Sequence, residues 1–103
     1  MIYTIEEITE RVRPVAEKYG IPRVYLFGSY ARGEATDKSD VDLLVDTVKV
    51  RGLFWLGGLY DDLRSALEKD IDMVTVRTLY QDAEDICNKR FIHEVELDRR
   101  QII

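Results

Sequence analysis

The chain has 103 residues, enough for one small domain over residues 1–103 and too few for two. Apolar residues make up 46% of it and interspersed charges 34%, a globular composition in which no apolar run is long enough to span a bilayer. The net charge of −5 argues against strong nonspecific DNA binding, and the single cysteine, Cys87, allows no internal disulfide and fits a reducing cytoplasm.

The first predicted helix covers roughly residues 4–19. Thr4 and Glu7 have the spacing of a capping box, and apolar residues then recur every three or four positions. Pro14 lies inside this pattern and is expected to kink or split the helix. Gly20 is a typical stop signal at its end.

A short strand and a short helical segment follow. The β-branched and aromatic run Arg23–Phe27 predicts a strand covered on both faces, which Gly28 ends. One or two helical turns are expected between Tyr30 and Gly33, then a polar loop over residues 34–39. The second strand is predicted over Asp40–Asp46.

A clear helical stripe of leucines starts after Gly52 and continues to Leu67. The pair Gly57 and Gly58 weakens it by about 1 kcal/mol per glycine. The four residues Leu53–Leu56 are too apolar for all their side chains to face one core. They form either the buried start of the helix or an exposed patch for a partner.

The third strand is predicted over Ile71–Val76 and a last helix over about residues 79–94, with Cys87 as a small core residue in it. The final eight residues are ambiguous between helix, strand and loop, and Glu94–Arg100 is expected to be a solvated charged face. Helices and strands alternate along the whole chain. This order predicts an α/β (α+β) fold, a small mixed β-sheet with helices packed on it.

The acidic residues of the strands indicate a site for divalent cations. Asp40 and Asp42 project on one face of a strand, with Cα atoms about 6.6 Å apart, and their hard oxygen ligands favour Mg²⁺ or Mn²⁺. Asp46 shares their face but lies about 13 Å beyond Asp42. Asp72 sits inside an apolar run, where a charge needs a partner such as a metal, whereas water can satisfy Asp70 at the strand entrance. We therefore choose Asp72 as the third carboxylate.

The turn after the first strand suits phosphate groups. Gly28 allows close approach of a ligand, the following helical turns direct free N–H groups at an anion, and the hydroxyl of Ser29 adds a donor. Arg32 either binds a phosphate oxygen or only forms a salt bridge with Glu34 or Asp37. Together with the carboxylates, this turn suits a metal-bound nucleoside triphosphate.

These residues resemble a known family. Gly28-Ser29, ten residues and then Asp40-Val41-Asp42 is similar to the signature of the polymerase-β-like nucleotidyltransferase superfamily. The segment Leu26–Gly33 resembles, more narrowly, the minimal nucleotidyltransferases that act as antitoxins to HEPN-domain toxins. The resemblance covers nearly the whole chain, including the strand with Asp72, and implies a nucleotidyltransferase-like fold.

The resemblance also implies a mechanism. Asp40, Asp42 and Asp72 would hold two Mg²⁺ ions, with Asp72 also helping to activate the attacking hydroxyl, while Gly28 and Ser29 hold the triphosphate of ATP. In the antitoxin branch, AMP passes to a tyrosine hydroxyl of a HEPN ribonuclease toxin and silences it.

Two alternatives remain open at the level of sequence. The domain neutralises its partner by binding alone, with little or no transfer, although the presence of all three aspartates favours retained chemistry. Otherwise it modifies a small molecule or an RNA end. Such relatives usually carry an additional domain for the acceptor, for which this chain has no room.

Overall fold

The computed structural model describes residues 2–47, 51–81 and 86–103, without the side chains of residues 81 and 86–88, so the role predicted for Cys87 lies outside it. Nine elements follow one another: α1 Ile5–Tyr19, β1 Arg23–Phe27, α2 Gly28–Arg32, β2 Val41–Asp46, α3 Leu53–Leu67, β3 Ile71–Thr75, α4 Val76–Gln81, α5 Ile86–Asp98 and β4 Arg100–Gln101. Within the described ranges, no helix has the length and apolar character needed to cross a membrane.

Helix α1 begins and ends as the sequence predicts. The backbone N–H of Glu7 donates to Thr4 Oγ1 at 3.1 Å, and the N–H of Thr4 donates to Glu7 Oε1 at 3.0 Å, which completes the capping box. The helix continues through Pro14, so the proline does not split it. Pro14 and Glu10 are both exposed, so water can pair with the Glu10 carbonyl that lacks an N–H partner at position 14.

The sheet is mixed, as predicted, with the strand order β3-β2-β1-β4. Strands β2 and β3 are parallel, whereas β1 is antiparallel to both β2 and β4. The sequence analysis missed β4, which has only two residues, both exposed, and therefore no alternating pattern to read.

Helices cover both faces of the sheet. On one face α1 and α3 pack on inward-facing strand residues and form the larger core: Ile8, Val12, Val24, Leu26, Val41, Leu43, Val45, Leu59, Leu63. The opposite face carries a smaller core under α4 and α5: Phe27, Leu44, Leu79, Ile92, Val95. Since side chains alternate along a strand, Asp42 shares the face of Leu44 and the smaller core.

The third strand and the last helix differ from their predicted bounds. The strand ends at Thr75 rather than Val76, because Thr75 Oγ1 accepts a hydrogen bond from the N–H of Thr78 at 3.1 Å and α4 begins there. The segment predicted as one helix over residues 79–94 contains parts of α4 and α5. Helicity starts earlier and ends later than the apolar spacing indicated.

The start of α3 is an exposed patch rather than a buried helix start. Leu53 and Phe54 are 86% and 99% exposed. Trp55 instead turns inward, with its ring edge-on to that of Tyr19 at a centroid distance of 5.7 Å.

Candidate active site

The start of β2 brings the predicted carboxylates together. Asp40 directly precedes the strand, and Asp42 lies opposite Asp72 of β3 in the parallel register. Residues opposite one another in neighbouring strands project on the same face, so the side chains of Asp42 and Asp72 are neighbours. Asp40 has the same parity as Asp42 and lies at the same end of the sheet.

The backbone of the Gly28 turn packs directly against Asp42. Gly28 has φ +72°, a conformation that residues with a side chain rarely adopt. A Cβ placed at Gly28 would lie 2.1 Å from Asp42 Oδ2, well inside van der Waals contact. Two independent constraints therefore require glycine at this position, one from its backbone conformation and one from the closeness of the turn to the carboxylate.

Helix α2 starts at Gly28, two residues earlier than the helical turns predicted from the sequence. Its N-cap residue, Phe27, provides no side-chain hydrogen bond, so the first amides of the helix lack a side-chain cap. The helix ends at Gly33, whose left-handed backbone closes it with an N–H bond to the carbonyl of Tyr30 at 3.4 Å. Ser29 lies half-buried in its first turn.

Negative charge is concentrated at Asp42. The pKa of Asp42 is raised from its ordinary 3.8 to about 6, chiefly by burial and then by the charges of Asp72 and Asp40, while Arg32 opposes this change. Asp40 and Asp72 are themselves exposed, so a ligand from solvent can reach them.

These carboxylates fit a divalent cation by their chemistry. Their oxygens are the ligands that Mg²⁺ prefers, and a cation would relieve the repulsion that Asp42 experiences from Asp40 and Asp72. As the side chains stand in the described part of the chain, no three acidic, histidine or cysteine groups already surround one metal position. Ligation by all three aspartates thus stays a prediction.

Arg32 is held by two carboxylates at the edge of the site. Its Nη1 donates to Asp98 Oδ2 at 2.7 Å, and its Nε donates to Glu34 Oε2 at 3.2 Å. These bonds, that to Asp98 first, raise the pKa of the guanidinium further. The salt bridge with Glu34 that the sequence left open is present, and the phosphate role of Arg32 stays a prediction.

Asp98 is the residue near the site that the sequence analysis missed. The segment Glu94–Arg100 was expected to be solvated, but the Asp98 side chain at the end of α5 is only 20% exposed and pairs with Arg32. The two residues are 66 positions apart, so no local pattern relates them. Asp70, which the sequence left to water, is instead paired with Arg64 at 2.8 Å. Asp72 is exposed like Asp70, so its choice as the third carboxylate stays a prediction.

An open groove adjoins the carboxylates. It has a volume of about 350 Å³ and is lined by residues 37–40 together with Lys69 and Asp70. Lys69 Nζ crosses it to donate to the carbonyl of Asp37 at 2.9 Å. A ligand can therefore approach Asp40 from solvent along this groove.

Known proteins match this chain over most of its length. Residues 6–103 match the family model for the nucleotidyltransferase domain. The protein adenylyltransferase MntA of Thermococcus cleftensis is 36% identical over 80 residues, which are 74% of this chain and 81% of that protein.

Solved structures share the fold. A protein described as a minimal nucleotidyltransferase superposes with a TM-score of 0.70 at 30% identity, covering 95% of each chain. A complex of the tri-AMPylated Shewanella oneidensis HEPN toxin with its MNT antitoxin gives a TM-score of 0.65 at 21% identity, covering 97% of this chain and 72% of that one. With its glycine turn and its paired strand carboxylates, the chain belongs to the nucleotidyltransferase domain family, as a minimal nucleotidyltransferase similar to the protein adenylyltransferases of toxin–antitoxin pairs.

Proposed function

We propose that this nucleotidyltransferase transfers AMP from ATP to a tyrosine hydroxyl of a HEPN-domain toxin and thereby acts as its antitoxin, in the cytoplasm. The observation that carries the proposal is the contact between Gly28 and Asp42, with Asp72 on the next strand. It puts a turn suited to phosphates within van der Waals distance of a carboxylate suited to a metal. The name of the Thermococcus relative supports the adenylyl group, and the Shewanella complex supports the class of partner.

Binding of the triphosphate falls to the Gly28 turn. The amides at the start of α2 lack a side-chain cap and can donate to phosphate oxygens, and Ser29 adds a hydroxyl donor. Arg32 contributes positive charge from the other end of this short helix. Its distance from Asp42 is small enough to lower the pKa of that carboxyl, so its field also reaches the reacting centre.

In our proposal, two Mg²⁺ ions would be held by the carboxylates of Asp40, Asp42 and Asp72. When bound, these ions neutralise charge on the phosphates and stabilise the attacking and leaving oxygens. Asp42 is half-buried and lies against Gly28, which would hold its carboxylate in place as a ligand. Asp72 is exposed, so an acceptor protein arriving from solvent can reach it.

The transfer itself is an in-line displacement. The tyrosine oxygen forms a bond to the α-phosphorus as the bond from that phosphorus to the bridging oxygen breaks, and pyrophosphate leaves with that oxygen. Asp72 orients the hydroxyl and takes its proton, which then passes to solvent because Asp72 is exposed. The products are tyrosine-linked AMP and pyrophosphate.

A transfer assay tests this proposal. The chain is incubated with ATP labelled on the α-phosphate, Mg²⁺ and a purified HEPN-domain toxin, and mass spectrometry locates the added AMP. Asp42→Asn should lower the rate at least about 100-fold. Asp46→Asn is the matched control, because Asp46 lies on the same strand but pairs with Arg23 at 3.0 Å instead.

Other outcomes would contradict the proposal in distinct ways. Full neutralisation of the toxin by Asp42→Asn, with no AMP transferred by the unaltered chain, would favour an antitoxin that acts by binding alone. Label appearing on RNA or on a small molecule, and never on protein, would favour a different acceptor.

A further inference from the structure

The start of α3 exposes apolar surface that the domain itself does not use. Leu53 and Phe54 are 86% and 99% exposed, and with Gly57, Gly58 and Asp61 they line a groove of about 550 Å³, here called the α3 groove. Two adjacent large apolar side chains in water forgo the stabilisation of about 1.5–3 kcal/mol that each would gain from burial. Exposed apolar surface of this kind marks an interaction site.

Gly57 is a second and independent sign of a binding surface. Among the residues that the structure describes, none has an atom within 4 Å of a Cβ at Gly57, and its backbone has no positive φ, so nothing in this part of the chain requires glycine there. Glycine inside a helix nevertheless costs about 1 kcal/mol relative to alanine. Gly58 differs, since a Cβ there would lie 3.0 Å from the hydroxyl oxygen of Tyr19. The absent side chain at Gly57 keeps the floor of the groove open to another chain.

The charge at the rim identifies the kind of partner. Leu53, Gly57 and Asp61 are spaced by four residues and lie on one side of α3. Within the ranges that the structure describes, no cation pairs with Asp61. A ligand that covers Leu53 and Phe54 would also take water from Asp61, which is costly unless the ligand brings a positive charge.

A second copy of this chain fits the α3 groove poorly. A two-fold axis at Gly57 would place Asp61 of each copy near the other copy's Leu53, so two carboxylates would lose water without gaining cations. Each copy also carries a net charge of −5, which adds long-range repulsion.

We propose that the α3 groove docks an amphipathic helix of another protein, with an apolar side chain against Phe54 and Gly57 and a lysine or arginine against Asp61. The inference does not depend on the reaction proposed above, because it uses none of the residues assigned to it.

A defined peptide probe tests the proposal. The probe is a tryptophan-free amphipathic helix with a leucine stripe flanked by lysines, and its counterpart carries glutamates in place of the lysines. Binding is measured by calorimetry and by the emission of Trp55, the only tryptophan of the chain and a neighbour of Phe54. The lysine peptide should bind at least about tenfold more tightly than the glutamate peptide.

Substitutions locate the binding site. Phe54→Ser should weaken binding of the lysine peptide at least about tenfold, and Asp61→Asn about threefold. Both side chains are exposed, so both variants should keep the thermal stability of the unaltered chain. Leu97→Ser is the matched control, since Leu97 is 71% exposed but lies on α5, and it should leave the affinity unchanged.

Three results would overturn the proposal. One is no binding of the lysine peptide, and another is equal affinity in Phe54→Ser and the unaltered chain. The third is a dimer in sedimentation that Phe54→Ser converts to monomer, which would assign the groove to a second copy.

Discussion

Each end of β2 carries an aspartate, and the two carboxylates serve opposite purposes. Asp46 at one end accepts a hydrogen bond from Arg23 Nε at 3.0 Å, an ordinary ion pair between neighbouring strands. Asp42 at the other end is partly buried, with Asp72 and Asp40 close by, and its pKa is raised to about 6. Burial and the neighbouring carboxylates disfavour the ionised form of Asp42, so its charge does not stabilise the fold. This end of the strand is therefore organised for a ligand.

The largest expected effect separates two glycines, Gly28 beside Asp42 and Gly57 inside α3. Gly28→Ala should lower AMP transfer by at least about 100-fold, because the new Cβ would collide with Asp42 Oδ2 and φ +72° is strained for alanine. Gly57→Ala adds a Cβ in open space and should raise the melting temperature by about 4–8 °C. Transfer assays and thermal unfolding of both variants measure this contrast. Normal transfer by Gly28→Ala would show that the turn is not part of the site.

Cation binding should depend on pH in a way set by Asp42. Because its pKa is about 6, the carboxyl becomes protonated below that pH and loses its negative charge. Affinity for Mg²⁺ should then fall by up to about tenfold per pH unit below about 6. Calorimetric titrations with Mg²⁺ at several pH values above and below 6 measure this change in affinity. An affinity that stays constant as the pH falls through 6, or equal dependence in Asp42→Asn, would exclude Asp42 as a ligand.

A smaller effect tests whether α5 supports the catalytic end. Asp98→Asn removes the negative charge from the shorter of the two bonds to Arg32, so the guanidinium should be less well ordered and ATP should bind about three- to tenfold more weakly, with little change in kcat. Glu34→Gln is the matched control, and its effect should be smaller because the Glu34 side chain is 67% exposed. Tighter ATP binding by Asp98→Asn would mean that Asp98 competes with phosphate for Arg32.

The smallest expected effect is on stability. A carboxyl whose pKa is raised in the folded state stabilises the fold relatively at low pH, and this contribution is lost as the pH rises through about 6. At pH 7 without Mg²⁺, Asp42→Asn should therefore be more stable than the unaltered chain. Since water reaches part of the carboxylate, the gain is on the order of 1 kcal/mol, or about 4–8 °C in melting temperature.

The aspartate at the other end of the strand provides the comparison for that measurement. Asp46→Asn should lose up to about 1 kcal/mol, because it breaks the exposed pair with Arg23. Thermal unfolding near pH 4, where Asp42 is protonated, should abolish the advantage of Asp42→Asn. A melting temperature of Asp42→Asn at pH 7 that equals that of the unaltered chain would mean that neither burial nor the neighbouring carboxylates destabilise the ionised Asp42.

The sequence by itself determined the elements with strong local patterns. The capping box of Thr4, the apolar periodicity of α1 and α3 and the β-branched runs of the strands depend on neighbours a few positions away, and the structure reproduces them. The glycine turn and the two strand aspartates were recognisable for the same reason, because their spacing along the chain is fixed. The bounds of α4 and α5 were predicted less well, since a short helix after a strand has little periodicity.

Tertiary structure decided what depends on distant residues. The register of β3 on β2 puts Asp72 opposite Asp42, and the packing of α5 on α2 brings Asp98 to Arg32 across 66 positions. Packing also decided that Trp55 faces inward while Phe54 remains in water. Hydrophobic periodicity records which face of an element is buried, but it does not record which other element covers that face or in which register.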